Sequence, residues 1–356
     1  MKVLIVAPNF GTFGGCEAFV FRLAQELVRH GVTVRLCFKR VKGGFELDDT
    51  MKEYLFASPA SYTFVDRASS ELWNEMKWAD LVHAQNPSID VAVFARLLRK
   101  PFVMTVHGWL RDRWSLRGLL SRVANRLADR RWYNSDFVWE KWEGDHKLPS
   151  SGKLPIVSNL PEGPAPYEER SGFAFAARWV ENKGLDVLVR AYARADLDRT
   201  EWPLILLGDG PLRSRIEALI DDLGADGIDI RGFVDEDTRD DVIRHAKWMV
   251  IPPHTDEDLG LTPIEARHVK VPCIITRDGG LLESGGTHAL KCEPGAVEGL
   301  AQRLEEAAAM QEAEYRRISE ATHSDLLEYL QPMSLYLDHY RDLLLDKGRE
   351  VAVSTV

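Results

Sequence analysis

The chain has few of the sequence features of a membrane-spanning protein, of a structural metal site or of a nucleic-acid-binding protein. Its four cysteines are widely scattered and have no metal-ligand spacing: Cys16, Cys37, Cys273 and Cys292. Apolar runs reach only the length of a strand, so no segment is predicted to span a bilayer, and the run at 1–8 is too short for a signal peptide. No nucleic-acid-binding module or basic tail is recognised. These absences predict a cytoplasmic protein with reduced cysteines.

Charge is distributed unevenly along the 356 residues. Residues 1–160 carry 23 Lys and Arg against 17 Asp and Glu, a net charge of +6, and the remainder carries 22 against 38, a net charge of −16. A basic half joined to an acidic half suggests that one domain meets an anionic surface or substrate. The length and the 45% hydrophobic content predict two α/β domains with ample core.

The first segment predicts a β-α-β unit. Strands are expected at 2–8 and 32–38, with a helix at 17–30 between them. The glycines of this segment do not fit the dinucleotide-binding pattern Gly-x-Gly-x-x-Gly. Gly14 and Gly15 would let the backbone approach a ligand closely, or they form only a tight turn between strand and helix. Both interpretations are open from the residues alone.

Two further parallel strands are predicted at 81–84 and 101–106. His107 comes directly after the second, where parallel α/β folds place ligands at the carboxyl ends of strands. A lone histidine at a strand end is nevertheless more often structural than catalytic. His83 has a similar placement, and we interpret it as structural.

Residues 109–132 are unusually rich in arginine. The seven arginines are interleaved with tryptophan and leucine: Arg111, Arg113, Arg117, Arg122, Arg126, Arg130 and Arg131. Only Asp112 and Asp129 oppose them. A basic amphipathic helix with tryptophan at one end suits the surface of an anionic membrane. The alternative is an ordinary domain helix with a solvated arginine face.

A proline-rich stretch at 158–170 marks a domain boundary. We therefore expect an N-terminal domain at 1–160, a second domain at 171–330 and a final helix at 331–350. In the second domain, Arg178 and Lys183 follow a strand predicted at 171–178 and would meet at its carboxyl end, where two cations neutralise a diphosphate.

The stretch 251–266 carries the densest group of candidate site residues. A strand predicted at 248–252 leads into a loop with Glu257 and Gly260, and a helix follows. Thr262 suits the N-cap of that helix, and Glu265 lies three residues after it. The free amides of a helix N-terminus attract phosphate, and a carboxylate beside them accepts from sugar hydroxyls. Alternatively, Glu265 only closes a capping box and Glu257 is a solvated loop acid.

The spacing Glu257-x7-Glu265 resembles the signature of the retaining glycosyltransferases of family 4, which have the GT-B fold. Arg178 and Lys183 are similar to that family's diphosphate-binding pair, and Gly14-Gly15 to its opening segment. The resemblance covers most of the chain, from residue 2 to about 345. This chain departs from the family in having Ala177 where glycine is common and Asn159-Leu160 where the family usually has Asn-Gly.

The resemblance implies two Rossmann-like domains that face each other across a cleft, with the active site there and a C-terminal helix that crosses back to the N-terminal domain. The first domain would bind the acceptor, and the second a UDP-, GDP- or ADP-sugar. The implied catalytic residues are His107, Glu257, Arg178 and Lys183. The implied donor-binding residues are Gly14, Gly15, Gly208, Phe233, Val234, Leu259, Gly260, Leu261 and Glu265. No metal and no cofactor is expected.

The implied activity is metal-independent transfer of a hexosyl group, with retention, to a glycan or lipid-linked saccharide. Cell-surface polysaccharide or glycolipid biosynthesis is the expected setting, with the protein in the cytoplasm and peripheral contact of 109–132 with an anionic membrane. Two rivals remain, namely a nucleotide-sugar epimerase of the same fold and a catalytically idle carbohydrate-binding subunit. The presence of Arg178, Lys183 and both glutamates argues against the idle subunit.

Overall fold

The computed structural model describes residues 1–9, 11, 13–40, 46–110, 112, 114–154, 160–255 and 257–349. The chain divides into two compact units, one of Met1–Ser158 with Gln331–Val356 and one of Asn159–Leu330. In the part of the chain just defined, each unit contains one all-parallel sheet with helices between its strands. The α/β class predicted from the hydrophobic pattern is therefore confirmed.

The first unit is built on seven described strands. They are β1 (Lys2–Asn9), β2 (Thr33–Arg40), β3 (Ser61–Val65), β4 (Leu81–Gln85), β5 (Phe102–Val106), β6 (Arg130–Tyr133) and β7 (Ser151–Lys153). Their order in the sheet is β3-β2-β1-β4-β5-β6-β7. The helices between them are α1 (Gly15–Arg29), α2 (Asp49–Ala57), α3 (Ser70–Trp78), α4 (Ile89–Leu97), α5 (Leu116–Leu127) and α6 (Asp136–Glu143).

Strands β1, β4 and β5 form the centre of this sheet and are buried on both faces. Every residue of β4 and β5 is buried, and so are Val3 to Ala7 of β1. A parallel sheet covered by helices on both sides requires such continuous apolar runs. The strand order reverses between β1 and β4, and this reversal creates a crevice at the carboxyl edge of the sheet.

The second unit repeats this plan with six described strands. They are β8 (Ser171–Ala176), β9 (Leu204–Leu207), β10 (Ile228–Gly232), β11 (Ala246–Ile251), β12 (Cys273–Thr276) and β13 (Leu290–Cys292). Their order is β10-β9-β8-β11-β12-β13, with the reversal between β8 and β11. The helices are α7 (Leu185–Arg194), α8 (Arg213–Leu223), α9 (Glu236–His245), α10 (Thr262–His268), α11 (Leu281–Ser284), α12 (Val297–Ala309) and α13 (Glu312–Tyr329).

The final helix, α14 (Ser334–Asp346), belongs to the first unit. The Tyr340 hydroxyl lies 2.6 Å from Nδ1 of His83 on β4, and both side chains are buried. At the C-terminal end of the helix, Arg130 donates to Asp346 at 2.9 Å. The prediction of a last helix that returns to the N-terminal part of the chain is confirmed.

The prediction of one basic helix across 109–132 is wrong. The helix covers only Leu116–Leu127, and Arg130–Tyr133 forms strand β6, in which Arg131 is buried. Arg130 pairs with Val103 of β5, so sheet formation overrides the amphipathic pattern at this end. Arg111 and Arg113 lie outside the described residues.

The sequence also predicts strands at 154–157 and 228–234, and their ends differ from the structure. The strand expected near 154–157 corresponds to β7, which ends at Lys153, and 155–157 are outside the described residues. The strand expected to reach Val234 ends at Gly232, where φ is +72°. That backbone conformation suits glycine and breaks the extended run.

Candidate active site

In the second unit, the candidate residues gather where the strand order reverses between β8 and β11. Arg178 lies in the loop that follows β8, and Lys183 ends a short 3₁₀ turn (Glu181–Lys183) before α7. Glu257 lies in the loop that follows β11. Because both strands run in the same direction, their loops emerge at the same edge of the sheet.

An ion pair joins these two loops. Nζ of Lys183 donates to Oε2 of Glu257 at 2.7 Å, and both side chains are largely shielded from solvent. The backbone on the Glu257 side is held by Asp278, whose carboxylate accepts from the Glu257 amide at 2.8 Å. Gly280 donates its amide to the Glu257 carbonyl at 2.7 Å. The backbone that carries the carboxylate partner of Lys183 is therefore held by two hydrogen bonds.

Arg178 differs from Lys183 in having no ion-pair partner within the described residues, and its side chain is exposed. The edge thus has one cation already paired with a carboxylate and a second that is open to an incoming anion. Two cations of this kind at one strand end suit a diphosphate, which spreads charge over several oxygens.

Two glycines allow the backbone segments at this edge to touch. Gly184 has φ +67°, and a Cβ built there would lie 1.9 Å from the carbonyl oxygen of Pro252. Gly208 has φ +107°, and its Cβ would lie 1.9 Å from the carbonyl oxygen of Ala177. The Gly208 amide donates to Gly232 at 2.7 Å. Gly208 thus allows the loops after β8, β9 and β10 to pack together. Its predicted contact with the nucleotide-sugar stays a prediction.

Helix α10 begins differently from the prediction. Leu261 is its N-cap, Thr262 is its first residue, and the Thr262 hydroxyl donates to the carbonyl oxygen of Ala176 at 3.2 Å. Thr262 is therefore not the cap, because its hydroxyl ties the helix to the end of β8. Glu265 is only 6% exposed and interacts electrostatically with Arg239 of α9.

The other predicted donor-binding residues fall into two places. Leu259 is buried, and its carbonyl accepts from the Ser284 hydroxyl at 2.5 Å, while Gly260 beside it has φ +79°. Phe233 follows β10 and is 73% exposed, and Val234 packs partly against the core. Phe233 thus offers a free aromatic face, whereas Leu259 faces the protein interior.

In the first unit, His107 lies immediately after β5 and is half-buried. Its Nε2 donates to Oε1 of Gln85 at 2.7 Å, and its backbone amide donates to Oδ1 of Asn86 at 2.8 Å. Nδ1 has no hydrogen-bond partner among the described residues. Burial lowers the pKa of His107 to about 4, so the ring is neutral at physiological pH and presents Nδ1 as an acceptor.

The hydrogen bonds of His107 continue into the core. The Gln85 amide donates to Nε2 of His83 at 3.2 Å, and the Thr105 hydroxyl lies 2.8 Å from the same nitrogen. Nδ1 of His83 then meets Tyr340 on α14. Burial lowers the pKa of His83 to about 3. This position accords with the interpretation of His83 as a structural residue, and it connects α14 with His107.

Gly14 and Gly15 lie at the start of α1. Gly14 is the N-cap residue with extended backbone, and a Cβ there would lie 3.4 Å from Oε2 of Glu17. The glycine at this position is therefore not required by a left-handed backbone. The Glu17 side chain beside it is buried.

Comparison with known families follows the same division of the chain. Residues 13–159 match the model described as Glycosyltransferase Family 4, and residues 158–324 match the one described as Glycosyl transferases group 1. Together the two matches run from the first helix to α13. The chain belongs to glycosyltransferase family 4.

Curated relatives of this glycosyltransferase are distant. A D-rhamnosyltransferase, WbpZ, of Pseudomonas aeruginosa is 24% identical over 297 residues, which is 75% of each chain. An uncharacterized glycosyltransferase of Methanocaldococcus jannaschii is 29% identical over 143 residues, or 40% of this chain and 35% of that one. An exopolysaccharide phosphotransferase of Streptomyces coelicolor is 28% identical over 46% of this chain, and the match spans 18% of that protein.

Solved structures show the fold. HepE of Anabaena, crystallised with UDP, superposes with a TM-score of 0.80 at 15% identity and covers 97% of this chain and 100% of that one. A glycosyltransferase of Rickettsia africae gives a TM-score of 0.78 at 18% identity, with 96% and 98% coverage. The predicted GT-B fold of the glycosyltransferase is thereby confirmed.

Several site neighbours of the glycosyltransferase were not predicted from sequence. Asp278 supports Glu257, Gln85 orients His107, and Asn134 donates to the His107 carbonyl at 2.9 Å. The position of Gln85 at the end of a buried strand is the one signal that could have revealed it. Asn159 lies outside the described residues. In the described part of the chain, no group of three or more His, Cys, Asp or Glu side chains could hold a metal ion.

Proposed function

We propose that this glycosyltransferase transfers a hexosyl group from a nucleotide-sugar to a glycan or lipid-linked saccharide, with retention at the anomeric carbon and without a metal. The observation that carries the proposal is the grouping of Arg178, Lys183 and Glu257 at the reversal point of the second sheet. Cell-surface polysaccharide or glycolipid biosynthesis is the proposed setting, and the relatives named above support that choice.

In the proposed reaction, the bond between the anomeric carbon and the diphosphate oxygen breaks, and the acceptor oxygen takes the same face of the sugar. The acceptor hydroxyl gives its proton to the leaving diphosphate oxygen, on which negative charge develops as the bond breaks. Arg178 and Lys183 stabilise that charge where it develops, which is the role that a metal ion would otherwise fill. Glu257 binds sugar hydroxyls, Glu265 binds the ribose, and His107 contacts the reacting sugar.

The Lys183–Glu257 ion pair gives this proposal a specific mechanism for donor binding. Before the donor enters, the Lys183 ammonium is neutralised by Glu257 at 2.7 Å. When the diphosphate arrives, the ammonium is shared with phosphate oxygens, and the Glu257 carboxylate becomes available to accept from sugar hydroxyls. Binding of the nucleotide and binding of the sugar are therefore coupled through one ion pair.

The donor site is tested by thermal unfolding of the purified protein with UDP, GDP and ADP and their common sugars, with EDTA present. A ligand that binds only the folded state raises the midpoint. We expect one nucleotide to raise it clearly and Lys183→Ala or Glu265→Ala to abolish the rise. No response to any nucleotide would contradict the donor site, and a response that requires a divalent cation would contradict metal independence.

Stereochemistry and reaction class need a second measurement. Proton NMR of the product formed with the active donor reports the anomeric configuration, and we expect it to equal that of the donor. Incubation of the donor without an acceptor should leave the sugar unchanged. Epimerised sugar in that control would favour the epimerase of the same fold instead.

We also propose that α5 touches an anionic membrane, with the protein in the cytoplasm. The helix and the residue before its cap expose an apolar surface: Trp114 is 88% and Leu116 is 73% exposed, and Leu119, Leu120 and Val123 are exposed beside them. Arg117 and Arg126 are exposed on the same helix. Apolar and basic side chains on one short helix suit an anionic bilayer surface. No described helix has the length and apolar character to cross a bilayer.

Vesicle sedimentation tests this contact. We expect binding to vesicles that contain phosphatidylglycerol, weak binding to pure phosphatidylcholine, and loss of binding in Trp114→Ser/Leu116→Ser. Phe56 is equally exposed on α2 and provides the control, so Phe56→Ser should bind normally. Equal binding to both lipids, or equal loss in the control, would contradict the proposal.

A further inference from the structure

The first unit contains a cavity of about 550 Å³ at the carboxyl edge of its sheet. Residues from the ends of β1 and β4, from the loop after β5 and from the start of α5 line it. This is the crevice created by the reversal of strand order between β1 and β4, where α/β folds bind ligands. Its volume falls within the range of ligand pockets, which is about 300 to 1,000 Å³.

The charge of the lining is positive. Lys39 lies in the wall but is neutralised by Asp90, whose carboxylate is 2.5 Å from Nζ. Arg67 and Arg117 also line the cavity, are exposed, and form no ion pair with any described residue. Asp112 is the one carboxylate among the described lining residues, and it accepts from the Trp114 and Ser115 amides at 3.2 and 3.1 Å. Two arginines therefore remain for a ligand.

Helix α5 adds to this field because its N-terminus borders the cavity. Its N-cap Ser115, Gly118 and Ser121 all contribute to the lining. The first turn of the helix carries no acidic residue, and the Asp112 carboxylate, which accepts from the amide of the N-cap Ser115, offsets part of the positive end of the helix dipole. Arg117 lies in that same turn. The partial positive charge of the helix N-terminus and the guanidinium charge of Arg117 thus lie in the same region of the cavity wall.

The remaining lining suits a sugar ring. Asn86 provides an amide group at the end of β4, and Trp109 and Trp142 provide aromatic surface. Gln85 and Ser88 also line the cavity, but their polar groups are engaged by histidine, lysine and aspartate side chains. The indole of Trp142 is oriented by a hydrogen bond from Nε1 to the Gly108 carbonyl at 2.8 Å. Aromatic faces beside an amide group match the apolar faces and hydroxyl edges of a saccharide.

We propose that this cavity binds an anionic saccharide, a sugar that carries a phosphate or a carboxylate, as the glycosyl acceptor. Arg67, Arg117 and the start of α5 bind the anionic group, and the two tryptophans and the β4 end bind the ring. This inference rests on the proposed function, because it names the acceptor class of the same enzyme. It would explain why the N-terminal half carries the positive net charge.

Isothermal titration with three probes tests the preference for charge: α-D-glucose 1-phosphate, D-glucuronate and methyl α-D-glucoside. The protein carries Arg178→Ala/Lys183→Ala in every titration, so that both cations of the anion site in the second unit are removed. We expect the two anionic sugars to bind about tenfold or more tightly than the neutral glucoside, since charge-assisted bonds are the stronger ones. Equal affinity for charged and neutral sugars would overturn the proposal.

Variants locate the binding. Arg67→Gln/Arg117→Gln should weaken glucose 1-phosphate at least about tenfold and leave the glucoside unchanged. The control Arg29→Gln/Arg126→Gln removes the same charge from exposed sites outside the cavity, one of them on α5, and should change affinity by less than about twofold. An equal loss in both double variants would show a general charge effect and overturn the proposal. All four arginines are exposed, so the variants should fold.

A phosphate group on the proposed acceptor could belong to a soluble saccharide or to a lipid that carries the saccharide. Vesicles of phosphatidic acid or of phosphatidylcholine distinguish the two sources. If only phosphatidic acid vesicles displace glucose 1-phosphate, and if this displacement depends on Arg67 and Arg117, the cavity binds the phosphate of a lipid-linked acceptor. If neither kind of vesicle displaces glucose 1-phosphate, the cavity binds a soluble phosphorylated saccharide. Displacement that persists in Arg67→Gln/Arg117→Gln would overturn the proposal. With Arg178 and Lys183 intact, this variant should retain the nucleotide-induced rise in midpoint, so failure here is distinguishable from failure of the proposed function.

Discussion

Nζ of Lys183 lies 2.7 Å from Oε2 of Glu257, although 74 positions separate them in the chain. The two residues come from loops after different strands, and the sheet brings them together where its strand order reverses. A cation expected to bind the donor diphosphate is thus engaged by a carboxylate expected to bind the donor sugar.

Glu257→Gln should tighten the binding of a nucleoside diphosphate and weaken the use of the whole donor. Without the carboxylate, Lys183 no longer divides its charge between Glu257 and phosphate, and a negative charge near the phosphates is removed. For a partly shielded ion pair, the expected gain in binding free energy is about 0.5–1 kcal/mol, which corresponds to about a two- to fivefold lower Kd for the nucleoside diphosphate. Titration of UDP, GDP and ADP checks affinity, and the transfer rate should fall because the sugar loses a contact.

Glu181→Gln is the matched control, because Glu181 lies two residues from Lys183 and pairs with Arg215 at 2.8 Å. Its affinity for nucleoside diphosphates should equal that of the original protein. A gain of affinity in Glu181→Gln as large as in Glu257→Gln would mean that general charge, and not the ion pair, controls binding.

Gly184→Ala should destabilise the second unit and weaken donor binding. The methyl group would meet the Pro252 carbonyl at 1.9 Å, and φ at this position is +67°. Strain and clash together should cost about 2–4 kcal/mol, which lowers the unfolding midpoint by about 4 °C or more. Gly224→Ala has a similar φ, +57°, but no atom within 4 Å of the built Cβ, so it should cost only about 1 kcal/mol. Equal losses would contradict the close-approach argument.

Stability should fall as the pH is lowered below about 6.5, in part because of His83. Burial lowers the pKa of His83 to about 3, so the unfolded chain takes up a proton between about pH 6.5 and 3 that the folded chain does not. The contribution of His83 to the free energy of unfolding is thus fully present above the pKa of the unfolded chain. Below that pKa it falls by about 1.4 kcal/mol per pH unit. Urea unfolding at about pH 7.5 and 5 measures the difference.

His83→Gln should flatten this pH dependence by about one proton, although it also lowers stability at neutral pH because the bond to Tyr340 is altered. His146→Gln changes an exposed histidine of the same unit and should leave the slope unaltered. The prediction fails if both variants have the slope of the original protein.

Gln85→Glu should raise the pKa of His107 from its lowered value. The new carboxylate would replace the amide oxygen that now accepts from Nε2 at 2.7 Å, and a negative charge at hydrogen-bond distance favours the imidazolium. We expect an increase of about 1–2 pH units, measured by NMR of the ring, and a matching shift of the acid limb of the transfer rate. Gln302→Glu, on an exposed position of α12, should change neither.

Local sequence patterns were sufficient for strands β1, β2, β4, β5, β8 and β11 and for the candidate residues beside them. Strands β1, β4, β5 and β11 are apolar runs, because a strand covered on both faces has no polar positions to offer. The same patterns placed His107, Arg178 and Glu257 just after strand ends. The family's signature residues then indicated the fold, which the structural comparisons confirm.

Patterns failed where tertiary contacts compete with local preference. Arg130–Tyr133 continues an amphipathic pattern but forms strand β6 because β5 offers it an edge to pair with. Thr262 has the chemistry of an N-cap, yet its hydroxyl is used by the Ala176 carbonyl from another strand. In both cases the decisive partner is remote in the chain, so no local window contains it.

By itself, the sequence determined the α/β class, the central strands of both sheets, and the types of side chain available at the ends of those strands. Those properties follow from hydrophobic periodicity and from glycine and proline positions, which act over a few residues. Only the tertiary structure decided that Lys183 pairs with Glu257, that Gln85 orients His107, and that Arg67 and Arg117 share one cavity. Strand order within a sheet sets these neighbours, and it depends on pairing between segments far apart in the chain.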